Sequence, residues 1–139
     1  MKIILDCNIW ISFLMGYQRE LLRTLLKSRF IEIYICDKII SEVFDVAHRD
    51  KCRSKIPDNV LKGLNTIFEK VCHKSEITNI ASCDIRDPKD LYLISFAESI
   101  CADYLITGDK DLLVIQQYLG TKMITLAEFK TILNPVMNV

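Results

Sequence analysis

The sequence predicts a single α/β sandwich domain over residues 1–139, with five short strands in a parallel sheet covered by helices on both faces. Three observations carry that expectation. Short apolar runs without strict alternation ("IIL", "IYIC" and "YLI") recur along the chain, as strands buried on both faces should. Between them lie segments with apolar residues at helical spacing. Strands that alternate with helices in this way imply a parallel sheet covered on both sides.

Each element has its own signal. Strands are expected at Lys2–Asp6, Ile31–Cys36, roughly Val71–Ile77, Asp103–Thr107 and Lys122–Thr125; the third is weakest, because "VCHKSEI" is only half apolar. "YQRELLRTLLKSR" sets Leu21, Leu22, Leu25 and Leu26 on one stripe with charges opposite. "DKIISEVFDVAHRD" repeats Ile39, Ile40, Val43, Val46 and Ala47, and "DNVLKGLNTIFEKV" repeats Val60, Leu61, Leu64, Ile67 and Phe68. "DPKDLYLISFAESI" opens with a helix start signal: Asp87 as N-cap, Pro88 as the first helical residue and Asp90 in the first turn. Two shorter helices are expected at about Asp109–Tyr118 and Ala127–Leu133. Trp10, Phe13, Leu14 and Met15 belong either to the core or to a partner-binding surface.

Composition narrows the function classes. Half of the 139 residues are hydrophobic, with only four Gly and three Pro, which excludes disordered and fibrous chains. The apolar stretch from Ile9 to Tyr17 is too short to cross a bilayer, and "MKIILD" is no signal peptide. A soluble cytoplasmic protein without a membrane partner is therefore expected. The six cysteines form no CxxC pair, which fits small buried hydrophobes in a reducing compartment better than disulfides or zinc. His48 and His73 are the only histidines, too few for a His-rich metal centre. Basic and acidic residues balance at 18 each, so no global basic footprint points to nucleic acid, although a local patch can suffice.

The acids carry the chemistry. In a parallel sheet, sites form beyond the carboxyl ends of the strands, at the switch point of the winding. Asp6 ends the first strand, and Asp109 follows the fourth after the Thr107–Gly108 turn. Glu42 lies on the helix after the second strand, and Asp90 in the first turn of the helix leading into the fourth. If the first and fourth strands are neighbours, these carboxylates share a crevice. Four converging carboxylates repel one another unless a cation neutralises them, and all-oxygen ligation suits Mg²⁺ or Mn²⁺. Such ions activate water and stabilise charge on a phosphodiester. Plain structural readings stand beside these. Asp87, Asp90 and Asp109 can serve as helix caps, Asp111 and Glu42 as ordinary helix charges. Asp6 is harder to explain that way, because a carboxylate at a buried strand end needs a partner.

"KIILDCNIWIS", "SEVF", "RDPKD" and "ADYLITGDKDLL" resemble, in order, the motif blocks of PIN-domain proteins over about residues 2–130. The closest resemblance is to the small bacterial PIN proteins described as toxin components of toxin–antitoxin pairs. It implies a three-layer α/β/α sandwich with a five-stranded parallel sheet of Rossmann-like winding, and Mg²⁺- or Mn²⁺-dependent cleavage of RNA, with an antitoxin partner and dimerisation as further expectations. Position by position it implies Asp6, Glu42, Asp90 and Asp109 as the four family acids, with Asp6, Asp90 and Asp109 holding metal and Glu42 completing the shell or positioning water. Asn8 matches the polar residue two after the first acid, and Thr107 the hydroxyl residue before the fourth. Asp87 and Asp111 fall at positions that are often acidic. Cys7 departs from the usual Thr.

"HRDKCRSK" holds Arg49, Lys51, Arg53 and Lys55 against one Asp50. These cations either guide a phosphate backbone towards the acids or are solvated charges that favour a helix C-terminus. Two rival classes remain at this level. One is a non-catalytic PIN-fold RNA-binding or protein-interaction module. The other is aspartate phosphotransfer, disfavoured because Lys122 stands at the start of the fifth strand rather than at its end.

Overall fold

The computed structural model describes residues 1–137. Its elements begin with β1 (Lys2–Leu5), α1 (Cys7–Leu14), α2 (Arg19–Lys27), β2 (Glu32–Ile35), α3 (Asp37–Ala47), α4 (Asp50–Arg53) and α5 (Asp58–Lys70). They continue through β3 (His73–Lys74), a 3₁₀ turn (Pro88–Asp90), α6 (Leu91–Ile100), β4 (Tyr104–Ile106), α7 (Lys110–Leu113), β5 (Gln117–Tyr118), β6 (Thr121–Ile124) and α8 (Leu126–Met137).

The strands form one sheet in the order β3-β2-β1-β4-β6-β5. Every pairing is parallel except that of β5 with β6. Ile4 of β1 lies opposite Tyr34 of β2 on one side and Leu105 of β4 on the other. The winding therefore runs outward from β1 in both directions. The first and fourth strands are neighbours, and a crevice of the kind that holds sites opens beyond their carboxyl ends.

The expected five parallel strands are corrected to six, five of them parallel with an antiparallel strand at one edge. The expected helix from Asp109 to Tyr118 stops at Leu113. Past it, Gln116 and Leu119 take left-handed φ values of 66° and 51°, and Tyr118 pairs with Thr121 across Leu119–Gly120. Hairpin turns of that length normally advertise themselves with Gly or Asn at the positive-φ position; here Leu occupies it, so the turn is hidden. The third strand shrinks from residues 71–77 to His73–Lys74, both exposed, which agrees with its half-polar sequence.

Helix α1 is an addition to the expected elements. Its sequence is apolar nearly all round, and Trp10, Phe13 and Leu14 are buried, as in a helix enclosed on most sides. Core is thus the reading that holds for these three. Trp10 meets Phe68 of α5 edge-on at 5.1 Å, and Phe68 in turn meets Phe44 of α3 at 6.0 Å. The buried apolar residues form one contiguous cluster running from Ile3 to Leu133. All six cysteines are free, and among the described residues no helix is long and apolar enough to cross a membrane.

Between β3 and the 3₁₀ turn the chain is irregular, yet it is stitched to α6. The Ser99 hydroxyl accepts the N–H groups of Thr78 and Asn79 at 2.9 and 3.0 Å, and Ser95 accepts that of Ala81 at 2.9 Å. This fastening leads the chain to the "RDPKD" segment at the crevice.

Candidate active site

Asp6 leaves β1 at the point where its N–H donates to the Ile106 carbonyl of β4 (3.0 Å). Its side chain caps α1: Oδ1 accepts the Cys7 N–H at 2.7 Å. Oδ2 accepts the Thr107 hydroxyl at 2.7 Å. Only 7 % of the residue is exposed. Burial is the largest influence on this carboxyl and raises its pKa. The Thr107 and Cys7 hydrogen bonds oppose it, and the nearby Asp109 and Glu42 charges add to it.

Thr107 is fully buried at the end of β4. Its Oγ1 also accepts the Asp109 N–H at 3.0 Å, so one hydroxyl fixes both strand-end acids. Asp109 caps α7 through Oδ1, which accepts the Asp111 N–H at 2.9 Å. Asp109 therefore caps a helix and lines the crevice in one geometry. Asp87 likewise caps the 3₁₀ turn, accepting the Lys89 N–H at 3.0 Å.

Asp90 closes that turn. Partial burial, hydrogen bonding to the Asp109 carboxylate, and the charges of Asp109, Asp87 and Asp6 push its carboxyl up to about 7. Burial disfavours the charged form, and the neighbouring carboxylates add to that effect. Carboxylate oxygens of Asp90, Asp109 and Asp111 lie within 4.8 Å of one another. Asp111, expected only as a helper, thus stands in the tightest acidic group, and its Oδ1 is 3.8 Å from the exposed Arg86 guanidinium. Asp6 is beside this trio, its two oxygens already engaged by Cys7 and Thr107.

Glu42 reaches the crevice from α3. Its Oε2 accepts the Tyr92 hydroxyl of α6 at 2.8 Å, and the Lys38 ammonium sits 4.5 Å from the Tyr92 ring centroid. Burial, the Glu42 hydrogen bond and the Glu42 charge all hold the Tyr92 phenol protonated, far above its ordinary range. A cleft of about 370 Å³ is lined by Asp6, Asn8, Glu42, Asp90 and Asp109, together with Cys7, Asp45, Val46 and Arg49. Burial, followed by the Glu42 and Asp6 charges, pushes the Cys7 thiol up to about 12, so it stays neutral.

Of the four basic residues expected to guide a phosphate backbone, Arg49 lines the cleft, where it pairs with Asp45 at 3.2 Å. Arg53 instead donates to the Ile56 carbonyl at 2.9 Å and to the Asp58 carboxylate. Lys51 and Lys55 are exposed and do not line the cleft. Sequence reasoning passed over Tyr92, Asp45 and Arg86. Asp45 is one turn beyond Glu42, and Arg86 directly precedes the "DPKD" block. Tyr92 had a weaker signal: a phenol inside the apolar run "LYLISFA" requires a polar partner for its hydroxyl.

The family model described as the PIN domain matches residues 2–111. The chain belongs to the PIN-domain family. PIN domains are generally nucleases and typically bind a divalent metal, and an acidic crevice at the ends of β1 and β4 suits that fold. No curated protein and no solved structure gives a significant match.

Proposed function

We propose that this PIN domain is a Mg²⁺- or Mn²⁺-dependent endoribonuclease that hydrolyses phosphodiester bonds of single-stranded RNA. One observation carries the reading: carboxylates from two strand ends, a 3₁₀ turn and α3 converge on one cleft. The donor set fits a hard cation. It is all oxygen, several carboxylates are within ligand reach of one another, and burial together with the Asp109, Asp87 and Asp6 carboxylates raises the Asp90 carboxyl to about 7. Bound there, such an ion supplies charge neutralisation for the phosphodiester and an activated water.

The chain's own residues do the positioning. Asp90, Asp109 and Asp111 offer ligand oxygens, with Asp6 completing the negative wall. Thr107 holds Asp6 and the Asp109 backbone in fixed relation. Glu42, one oxygen held by Tyr92, turns the other to accept a hydrogen bond from the attacking water. Asn8 and Arg49 face the cleft where the RNA backbone enters, and Arg49 exchanges Asp45 for phosphate. The layering we infer is the α/β/α sandwich of a single domain. The biological setting we infer is cytoplasmic, as the toxin of a pair whose antitoxin is a protein partner.

The test is cleavage of a single-stranded RNA with Mn²⁺ by the wild type, Asp6→Asn and Asp109→Asn. Activity in the wild type and its loss in both variants is the expected result. Equal activity in all three would reject the site, and no activity in the wild type would reject the reaction.

A further inference from the structure

A second concavity, larger than the acid cleft, opens at the carboxyl ends of β2 and β3. It measures about 540 Å³ and is lined by Asp37, Lys38, Lys74, Ser75 and Glu76 among others. It is joined to the cleft through one chain of contacts. Lys38, on its wall, covers the Tyr92 ring, and the Tyr92 hydroxyl holds Glu42, which lines the cleft. Lys38 and Glu42 are four residues apart on α3, on one face of the helix. Arg49, just past the end of α3, lines the far side of the cleft. A track therefore runs from Arg49 across the acids to Lys38 and on to Lys74, with a cation at each end that is paired with an exposed carboxylate, Asp45 or Asp37.

We propose that the groove is a nucleotide subsite, taking the part of an RNA single strand that flanks the cleaved phosphodiester on the β2–β3 side. The proposal rests on the nuclease reading above. Lys38 and Lys74 hold backbone phosphates. Lys74 is paired with Asp37 at 2.8 Å, but their side chains are 59 and 82 % exposed, and pairs of that kind hold weakly. A phosphate replaces the carboxylate with a stronger, charge-assisted partner. Asp37 and Glu76, which sit poorly with phosphate, are suited to the amino edges of bases, since carboxylates accept from such donors. Bases with free Watson–Crick edges occur in single strands, whereas pairing occupies those edges in duplex RNA.

The test compares the wild type with Lys74→Ala in Mn²⁺, on a long single-stranded oligoribonucleotide and on a diribonucleotide too short to reach the groove. The variant is expected to raise KM for the long substrate about threefold and to flatten the salt dependence of KM by about 0.7 in log–log slope, the value for one phosphate that is no longer neutralised. Turnover of the diribonucleotide stays unchanged, and Lys74→Arg recovers the long-substrate KM. An unchanged KM and salt slope, in a chain that cleaves the long RNA, overturns the groove alone. A fall in diribonucleotide turnover also overturns it, because Lys74 would then act on the acid cleft itself. Failure of the wild type to cleave either RNA overturns the nuclease reading, and the groove with it.

Discussion

The Thr107 hydroxyl donates to Oδ2 of Asp6 at 2.7 Å while accepting the Asp109 N–H at 3.0 Å. A single buried side chain thus locks together the ends of β1 and β4, strands that are far apart in sequence. Thr107→Val keeps the shape and removes the hydroxyl. It is expected to cost about 1.5–3 kcal/mol, the range for a hydrogen bond to a charged group in a buried setting, read as a lower denaturant midpoint. Thr107→Ser should recover most of that loss. A Val variant as stable as the wild type would mean that the Asp6 carboxylate is satisfied by other means.

Tyr92 should matter to turnover more than to folding. Tyr92→Phe deletes only the hydroxyl that orients Glu42, and outer-shell partners of this kind typically contribute about 10–100-fold to activity or metal affinity. RNA cleavage by Tyr92→Phe is therefore expected to fall at least about tenfold in kcat with KM nearly unchanged. Unaltered kcat would mean that Glu42 needs no orientation from the phenol.

The crowded acids also set a pH dependence in the metal-free chain. Asp90 is raised from an ordinary 3.8 to about 7. A carboxyl whose folded pKa is raised contributes stability that is full below about pH 4 and is lost as pH rises to about 7, because the folded state binds more protons than the unfolded one. Asp90→Asn removes this dependence. In EDTA, the variant should match the wild type near pH 4 and surpass it in Tm by pH 8. Asp6 is raised too and remains in both chains, so the difference between the two Tm curves reports Asp90 together with its coupling to the neighbouring carboxylates. A constant difference across that range would contradict the crowding of these carboxylates.

What was legible in the sequence was whatever depends on local pattern. Asp6, Thr107 and Asp109 stood at the ends of apolar runs, and the start signal at Asp87–Pro88 fixed where Asp90 would fall. Neighbouring placement of β1 and β4 stood in the sequence only as the condition for a shared crevice, and the sheet order meets it. What escaped depends on contacts between distant segments or on a local rule being broken. Leu119 in a left-handed conformation hid the β5–β6 hairpin, because the side chain there carries no turn signal. Helix α1 lacks the amphipathic stripe that marks a surface helix, since it is buried on most sides. The Tyr92–Glu42 bond joins residues 50 apart in the chain, and no spacing rule announces it. Asp111 looked like a helix-start charge until the folded chain brought it to Asp90.

Metal binding supplies the last prediction, one that is independent of catalysis. A cation that binds the folded chain and not the unfolded one stabilises it by mass action, about 2.7 kcal/mol at a hundred times its dissociation constant. Mn²⁺ titrated into the EDTA-treated protein at pH 7.5 should therefore raise Tm progressively. The rise should be larger at pH 7.5 than at pH 5.5, since protonated Asp90 must lose its proton before it can ligate. Asp109→Asn and Asp111→Asn each replace an anionic oxygen donor of the tightest acidic group with a neutral amide, and each should cut the Mn²⁺-induced shift sharply. Asp45→Asn lies in the same cleft but outside that group, and should leave the shift intact. If Asp45→Asn abolished it while Asp111→Asn did not, the cation would belong on the α3 side of the cleft, next to Glu42, and the Asp90–Asp109–Asp111 assignment would fall.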